Sequence, residues 1–207
     1  MTSTQQKKKL LWTGLAIIVI LCALWWHYRL EPWGFYSNLP DAEKQLRSRT
    51  ATIAEGYLGF NESDGTHKVI IDFYNSHEPL AVGYTVQYSD SWCATFVSAV
   101  AIQEQLTDII PTECGCERQI ELWKNLGRWT EQDAYVPQPG DLIYYDWEDI
   151  GIGDCTGWSD HVGMVVGIKW PFIKVVEGNK DDMVDYRIIR VNAPCIRGFG
   201  LPDYSSK

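Results

Sequence analysis

The spacing of the hydrophobic residues changes near Gly140, and this change limits the folds that are open to the chain. Before it, apolar residues recur at helical spacing, and after it short runs alternate with a period of two. The helical runs are 41–57, 69–75, a segment beginning near 91, and 115–127, and the strand-like runs begin at 141, 161, 172, 185 and 196. Helices followed by an antiparallel sheet of about five strands predict an α+β fold.

An uncharged apolar run lies close to the N-terminus, directly after three lysines at 7–9. As a helix, residues 10–28 would reach about 28 Å, close to the hydrocarbon thickness of a bilayer. The run ends in aromatic residues rather than in the small residues of a cleavage site, and Leu21 before Cys22 does not fit a lipoprotein signal. We therefore expect a single-pass signal anchor at 10–28, with residues 1–9 in the cytoplasm and the rest of the chain outside the membrane.

Charge is distributed unevenly between the two parts of the chain. Residues 1–30 hold four of the 18 basic residues and none of the 27 acidic ones, so residues 31–207 have 14 basic against 27 acidic residues, a formal charge of −13. This acidity argues against nucleic-acid binding and would repel an anionic wall polymer. Retention beside such a polymer would then depend on the membrane anchor.

The cysteines allow several roles. Cys93 lies at the start of an amphipathic helix, where it could be a core thiol, a disulfide partner or a nucleophile. Five cysteines follow the apolar run, so at least one stays unpaired if the others form disulfides. Cys114 and Cys116 are spaced more tightly than the cysteines of zinc sites, and no second close pair follows, so we expect no metal there. Pairing among Cys114, Cys116, Cys155 and Cys195 stays open.

A thiolate nucleophile needs a base, and the base needs an orienting group. Of the four histidines, only His161 opens a strand, and the alternation places Gly163 on its face, where a neighbour can approach closely. Glu177 closes the next apolar strand, either as the acid that orients the imidazole or as a solvated strand end. Asn179 is a supporting residue or a turn residue. A thiol at a helix N-terminus, followed by a histidine and an acid, is the papain-like order.

Five segments in this order resemble the CHAP family, the cysteine- and histidine-dependent amidohydrolases and peptidases that cut bacterial cell walls. They are "WCATFVSA", "PQPGDLIYYDW", "SDHVGMVV", "VVEGN" and "IRGFGLPDY". The resemblance covers about residues 85–204 and implies a papain-like fold, with the nucleophile helix packed on an antiparallel sheet. It implies Cys93 as nucleophile, His161 as general base, Glu177 as the orienting acid and Asn179 as a supporting residue.

Other features of the site are left open by the sequence. Asp90 and Gln87 are both candidates for the second oxyanion donor. Some members of the family bind calcium, but the acidic segment 146–160 lacks EF-hand spacing, and we expect no cofactor. The tryptophans at positions 92, 147 and 158 could line a cleft or simply pack in the core and at its rim.

The sequence thus predicts a membrane-tethered peptidoglycan hydrolase. It would cut the amide bond between muramic acid and L-alanine, or a bond within the stem peptide or its cross-bridge. The alternative is a non-catalytic wall-binding module on the same fold, and the intact set of thiol, imidazole and carboxylate favours the enzyme. The expected organisation is a cytoplasmic N-terminus (1–9), a bilayer-spanning anchor (10–28), a stalk (29–40), a helical part (41–84) and the catalytic domain (85–204).

Overall fold

The chain divides between Pro32 and Trp33 into two structural units. A computed structural model of the protein describes residues 12–14, 16–22, 32–132, 134–149 and 157–207. Residues 12–14 and 16–22 are helical. Among the described residues, no helix is both long enough and apolar enough to cross a membrane. Part of the expected anchor at 10–28, and all of the expected cytoplasmic segment 1–9, lie outside the described residues.

The second unit consists of helices packed on one antiparallel sheet, which confirms the α+β class. Its helices are α1 (Asp41–Glu55), α2 (His67–Asn75), α3 (Cys93–Gln103) and α4 (Cys116–Asn125). Its described strands are β1 (Trp129–Thr130), β2 (Leu142–Tyr145), β3 (His161–Lys169), β4 (Phe172–Lys180), β5 (Met183–Arg190) and β6 (Ile196–Gly200). Their order across the sheet is β1-β6-β2-β3-β4-β5, and all neighbours are antiparallel.

The described sheet has six strands rather than about five. The additional strand is β1, a two-residue edge strand whose Trp129 lies opposite Gly200 of β6. Two residues are too short to show a period of two, which is why the sequence pattern did not reveal it. The other five strands overlap the runs that the alternation predicted. β3 has the predicted limits, whereas β4 ends two residues later and β5 begins two residues earlier than predicted.

The core lies on both faces of the sheet, and α3 occupies the centre of its larger part. Every residue of α3 from Cys93 to Ala101 is buried, so this helix is apolar all round rather than amphipathic. Gly178 of β4 allows the helix to approach, because a Cβ at that position would overlap Phe96. The opposite face of the sheet buries a second apolar cluster, which includes Val165 and Phe199.

The segment that precedes α1 lies against the sheet from Trp33 onward. Gly34 and Ile168 exchange two backbone hydrogen bonds, of 3.1 and 2.8 Å. Gly167 has no side chain where the Cβ of Trp33 approaches, and a Cβ there would lie 2.7 Å from it. These contacts hold the described end of the expected stalk on β3.

A buried ion pair connects α1 to the start of β2. Arg47 donates from Nη1 to Asp141 Oδ1 at 2.8 Å and to the Pro139 carbonyl at 3.1 Å. Asp141 also accepts from the backbone N–H of Gln138 at 2.8 Å and from the Tyr135 hydroxyl at 3.2 Å. The helical N-terminal part is thereby joined to the sheet through charge as well as through apolar packing.

Candidate active site

Cys93 is the first residue of α3, and its backbone marks the turn into the helix. The preceding Trp92 is not helical (φ −118°, ψ 20°), and no side chain caps the helix. The Trp92 indole is fully buried and donates to Glu62 at 3.0 Å, which fixes the entry into the helix. The thiol therefore lies at the positive end of the helix dipole, among backbone N–H groups that have no acceptor within the helix.

His161 is the first residue of β3 and lies near the Cys93 thiol. The pKa of Cys93 is well below its usual value, chiefly because Cys116 donates a hydrogen bond to the sulfur, and His161 and the Val162 N–H lower it further against the effect of burial. Burial lowers the pKa of His161, but the Cys93 sulfur and the Glu177 carboxylate outweigh it and raise the pKa to about 9. Together these shifts favour a thiolate beside an imidazolium at neutral pH.

Glu177 on β4 is fully buried and faces the imidazole. Its Oε2 lies 3.2 Å from His161 Nε2, although the ring orientation does not meet hydrogen-bond geometry, so the contact is mainly electrostatic. Arg187 of β5 donates from Nε to both carboxylate oxygens, at 2.7 and 2.9 Å. Burial raises the pKa of Glu177, but His161 and Arg187 outweigh it, and the pKa is lowered. Glu177 is therefore an anion held beside His161.

Gly163 makes the approach of Glu177 to the histidine strand possible. A Cβ at position 163 would lie 2.6 Å from the Cγ of Glu177 and 2.5 Å from a methyl carbon of Val175. Neither contact is tolerable for a real side chain. The glycine that the sequence placed on the face of His161 thus makes room for the acid itself.

A stack of side chains holds the imidazole from the neighbouring strand. Tyr145 lies opposite His161 in the β2–β3 register, with the ring centroids 6.0 Å apart. Trp147 stacks on Tyr145 at 4.7 Å, and the Arg187 guanidinium lies 4.8 Å from the centre of the Trp147 ring. Arg187 therefore fixes both the carboxylate and the aromatic stack.

Sequence reasoning did not identify Tyr145 or Arg187 as site residues. The signal for Tyr145 is its position as the last residue of β2, which becomes informative only when the register with His161 is known. Arg187 lies diagonally across from Glu177, because Glu177 pairs with Asp185 and Arg187 is two residues further along β5. Neither relation can be obtained without the strand pairing.

Cys116 is the closest thiol to the candidate nucleophile among the described residues. It is the first residue of α4, and its sulfur lies 3.6 Å from the Cys93 sulfur. The pKa of Cys116 is raised well above its usual value, first by its hydrogen bond to Cys93 and then by burial. Cys116 therefore keeps its proton and donates a hydrogen bond to the Cys93 thiolate. No pattern in the sequence predicted a contact between these two residues.

An open pocket of about 340 Å³ adjoins the two largely covered cysteines. Its lining includes Cys93, Cys116, Arg118, Trp158 and Asp160. A second pocket of about 420 Å³ shares Ser91, Cys114 and Arg118 with the first. Because they share these three lining residues, the two pockets adjoin, and we call them together the groove.

The three tryptophans named from the sequence have different surroundings. Trp158 is 75% exposed and lines the groove, whereas Trp92 is buried in the core. Trp147 is 44% exposed and covers the stack beside His161. Only Trp158 and Trp147 are thus available to a bound molecule.

The three supporting candidates lie at turns or irregular backbone. Asp90 Oδ2 accepts from the Gln87 N–H and the Tyr84 hydroxyl, both at 2.8 Å, so this carboxylate closes a turn at the wall of the groove. The exposed Gln87 donates its side-chain amide to the Thr85 carbonyl at 2.7 Å. Asn179 has a left-handed backbone (φ +56°) within the irregular end of the β4–β5 ladder. Asp90 and Gln87 thus belong to one turn, and Asn179 to an irregularity within β4.

The described cysteines are all free thiols. They are Cys22, Cys93, Cys114, Cys116 and Cys195, while Cys155 lies outside the described residues, as does 150–156 of the acidic segment. Among the residues that the structure describes, no group of three or more histidine, cysteine, aspartate or glutamate side chains is placed to hold a metal ion.

The arrangement provides the groups that nucleophilic acyl transfer requires. Cys93 supplies a thiolate, His161 supplies a proton that can pass to a leaving group, and Glu177 stabilises the imidazolium. The first-turn N–H groups of α3, that of Cys93 among them, have no acceptor within the helix and could donate to an oxyanion.

Comparison with known proteins adds no further evidence. A scan against protein-family models found no match, and searches of curated proteins and of solved structures found none either. A function for this chain is therefore inferred from its own residues.

Proposed function

We propose that the protein is a cysteine-dependent amidohydrolase or peptidase that cuts an amide bond of peptidoglycan. The observation that carries the proposal is the closeness of the Cys93 thiol to His161, which in turn pairs with the buried Glu177, at the wall of an open groove. A thiol that served only to fill the core would not need a low pKa, an imidazole and a buried carboxylate behind that imidazole.

The reaction would begin with attack of the Cys93 thiolate on the carbonyl carbon of the amide. The oxygen of the tetrahedral intermediate would be stabilised by the first-turn N–H groups of α3. His161 would then donate its proton to the leaving nitrogen, releasing an amine and leaving a thioester on Cys93. A water molecule deprotonated by His161 would hydrolyse the thioester, which restores the thiolate–imidazolium pair and releases a carboxylic acid.

The substrate class is supported by the sequence segments that resemble the CHAP family. The cleaved bond would be the amide between muramic acid and L-alanine or one within the stem peptide or cross-bridge. Because residues 31–207 have a formal charge of −13, an anionic wall would not attract them. We propose that the apolar run at 10–28 holds the domain at the outer face of the cell membrane, beside its substrate.

The test is a digestion of purified peptidoglycan by the full chain in detergent. The expected result is the release of new amino groups in step with the loss of turbidity, and mass analysis of the fragments would identify the bond that is cut. Cys93→Ala, purified in the same way, should release none. Retention of the protein on peptidoglycan with no new end groups from either protein would instead support a wall-binding module and overturn the enzyme.

A further inference from the structure

A second thiol lies within reach of the candidate nucleophile, and the reaction proposed above does not consume it. The sulfur atoms of Cys93 and Cys116 are 3.6 Å apart, which is van der Waals contact. Each cysteine opens a helix, so each sulfur lies at a position that the helix dipole makes favourable for a thiolate. Two adjacent thiols in such surroundings are a site for oxidation.

Small molecules can reach this pair from solvent. The pocket of about 340 Å³ is lined by both cysteines, and it is open to the surface. The side chains themselves are largely covered, with Cys93 4% exposed and Cys116 9% exposed. A peroxide can therefore approach the sulfur atoms through the groove, whereas a second protein cannot easily place its own thiol there.

We propose that Cys93 and Cys116 are a modification site at which a hydroperoxide forms a reversible disulfide. The disulfide would occupy the nucleophile and so switch off the proposed hydrolase, and this consequence rests on the proposed function. The disulfide itself does not depend on the reaction that the site catalyses.

The chemistry proceeds in two balanced steps. In the first, the Cys93 thiolate attacks the outer oxygen of the hydroperoxide and the O–O bond breaks. Cys93 becomes a sulfenic acid, and the other oxygen leaves as an alkoxide that takes up a proton. In the second, the Cys116 sulfur attacks the sulfenic sulfur, a disulfide forms and water leaves. Two thiols lose two electrons, and the hydroperoxide is reduced to an alcohol and water.

The first step prepares Cys116 for the second. The main cause of the raised pKa of Cys116 is its hydrogen bond to the Cys93 sulfur, which acts as the anion of the pair. Once Cys93 is a sulfenic acid, that anion is gone, and its effect on Cys116 is removed. A disulfide bond is about 2.0 Å long, so the two sulfurs need to approach by about 1.5 Å from their present contact.

Cys114 is the other cysteine that could pair with Cys93, and its surroundings differ from those of Cys116. Its sulfur accepts from Arg118 Nη2 at 3.4 Å. Burial and the nearby Glu113 carboxylate raise the pKa of Cys114. Cys114 therefore has the same sequence neighbourhood as Cys116 but is held by Arg118, which makes it a suitable control.

The experiment exposes the full chain in detergent to hydrogen peroxide and digests it with a glutamyl endopeptidase. Cleavage after Glu78, Glu104, Glu113 and Glu117 separates Cys93, in 79–104, from Cys114 and Cys116, in 114–117. We expect the two peptides to be linked, with the loss of two hydrogens, in the parent and in Cys114→Ser, and not in Cys116→Ser. Dithiothreitol should restore iodoacetamide labelling of Cys93 in the first two proteins.

Cys116→Ser tests whether Cys116 protects Cys93 from irreversible oxidation, which closeness of the two thiols alone would not predict. Without a resolving thiol, the sulfenic acid should proceed to sulfinic acid, so that Cys93 labelling in Cys116→Ser is recovered at least about tenfold less than in Cys114→Ser. A link between Cys93 and Cys114, or equal irreversible oxidation in all three proteins, overturns the inference. A reducible link in a parent protein that never cuts peptidoglycan supports the disulfide site while the proposed hydrolase fails.

Discussion

Two buried carboxylates of this protein, Asp141 and Glu177, are each paired with an arginine, yet their surroundings differ. Asp141 contacts Arg47, a tyrosine hydroxyl and a backbone N–H, all of which come from elements that it joins together. Glu177 contacts Arg187 on one side and the imidazole of His161 on the other. The contacts of Asp141 join parts of the fold, whereas those of Glu177 connect through His161 to the Cys93 thiol at the groove.

The pKa values of the two acids shift in opposite directions. Burial raises the pKa of Asp141 more than Arg47 and the other donors lower it. At Glu177 the imidazole and Arg187 outweigh burial, and the pKa is lowered. Ion pairing with an arginine therefore does not distinguish a structural acid from a site acid. The presence of a titratable partner, itself close to a nucleophile, does.

The largest expected loss of activity follows from replacing Cys93 or His161, the two residues to which Glu177 leads. Cys93→Ala removes the nucleophile, and His161→Ala removes the group that stabilises the thiolate and protonates the leaving nitrogen. Either should lower kcat/KM on peptidoglycan by about 10⁴-fold or more. In His161→Ala, alkylation of Cys93 by iodoacetamide should also require a higher pH, since the thiolate loses its cationic partner.

The stability of these two variants distinguishes a site from a core. A single sulfur contributes little to packing, so the unfolding free energy of Cys93→Ala should fall by only about 1 kcal/mol. Activity that survives in Cys93→Ala, or an alkylation profile that is the same in His161→Ala and in the parent, would show that α3 is an ordinary core helix.

Arg47→Met should lower stability strongly and activity little, the reverse of Cys93→Ala. It leaves Asp141 buried without its cation, which costs about 3–5 kcal/mol of unfolding free energy in comparable cases. The activity of the folded fraction should stay within about twofold of the parent, because Arg47 contacts none of the reacting groups described above. Urea unfolding followed by fluorescence measures the first quantity, and active-site titration with iodoacetamide normalises the second.

If Arg47→Met does not fold, Arg47→Lys keeps the charge while losing the forked geometry, and it should give an intermediate loss. A folded Arg47 variant whose normalised activity falls by a hundredfold would mean that the Asp141 arrangement belongs to the site after all.

Much of this comparison could not be obtained from the sequence. The alternation of apolar residues gave β3 and β4, and the strand-opening histidine and strand-ending glutamate were predicted as a pair. Arg187 and Tyr145 were not, because their closeness depends on which strands pair and in which register. The role of Asp141 was missed for the same reason, since its partner Arg47 is 94 residues away in sequence.

The expected anchor and the cysteines show a different limit. A run of apolar residues at 10–28 indicates a span by composition alone, and the described residues do not extend over the whole run. The contact between Cys93 and Cys116 depends on how the N-termini of α3 and α4 meet. A spacing of 23 residues has no periodicity that could predict it.

Glu177→Gln tests the charge of the carboxylate that lies beside His161. The amide keeps the shape of the acid but loses its charge, so kcat/KM should fall by about 10²-fold while remaining measurable. Glu177 is one of the groups that raise the pKa of His161 to about 9, and the decline of activity at alkaline pH should therefore begin at a lower pH in the variant. The matched Asp141→Asn should leave the position of that decline unchanged. An alkaline limb that is identical in Glu177→Gln and in the parent would remove Glu177 from the site.

The smallest expected effect is the dependence of stability on pH, where the two acids should differ in sign. The pKa of Glu177 is lowered from 4.5 in the folded protein, so its contribution is present above about pH 4.5 and is lost as the pH falls through the folded value. The pKa of Asp141 is raised from 3.8, so its contribution is complete below about pH 3.8 and is lost as the pH rises through the folded value. Urea unfolding between about pH 3 and 6 gives the difference between the parent and each variant, and one group can change it by at most about 1.4 kcal/mol per pH unit. As the pH falls, the advantage of the parent over Glu177→Gln should shrink, and its advantage over Asp141→Asn should grow. Slopes of the same sign would show that the two carboxylates have equivalent surroundings, and the distinction between a structural and a site acid would fail.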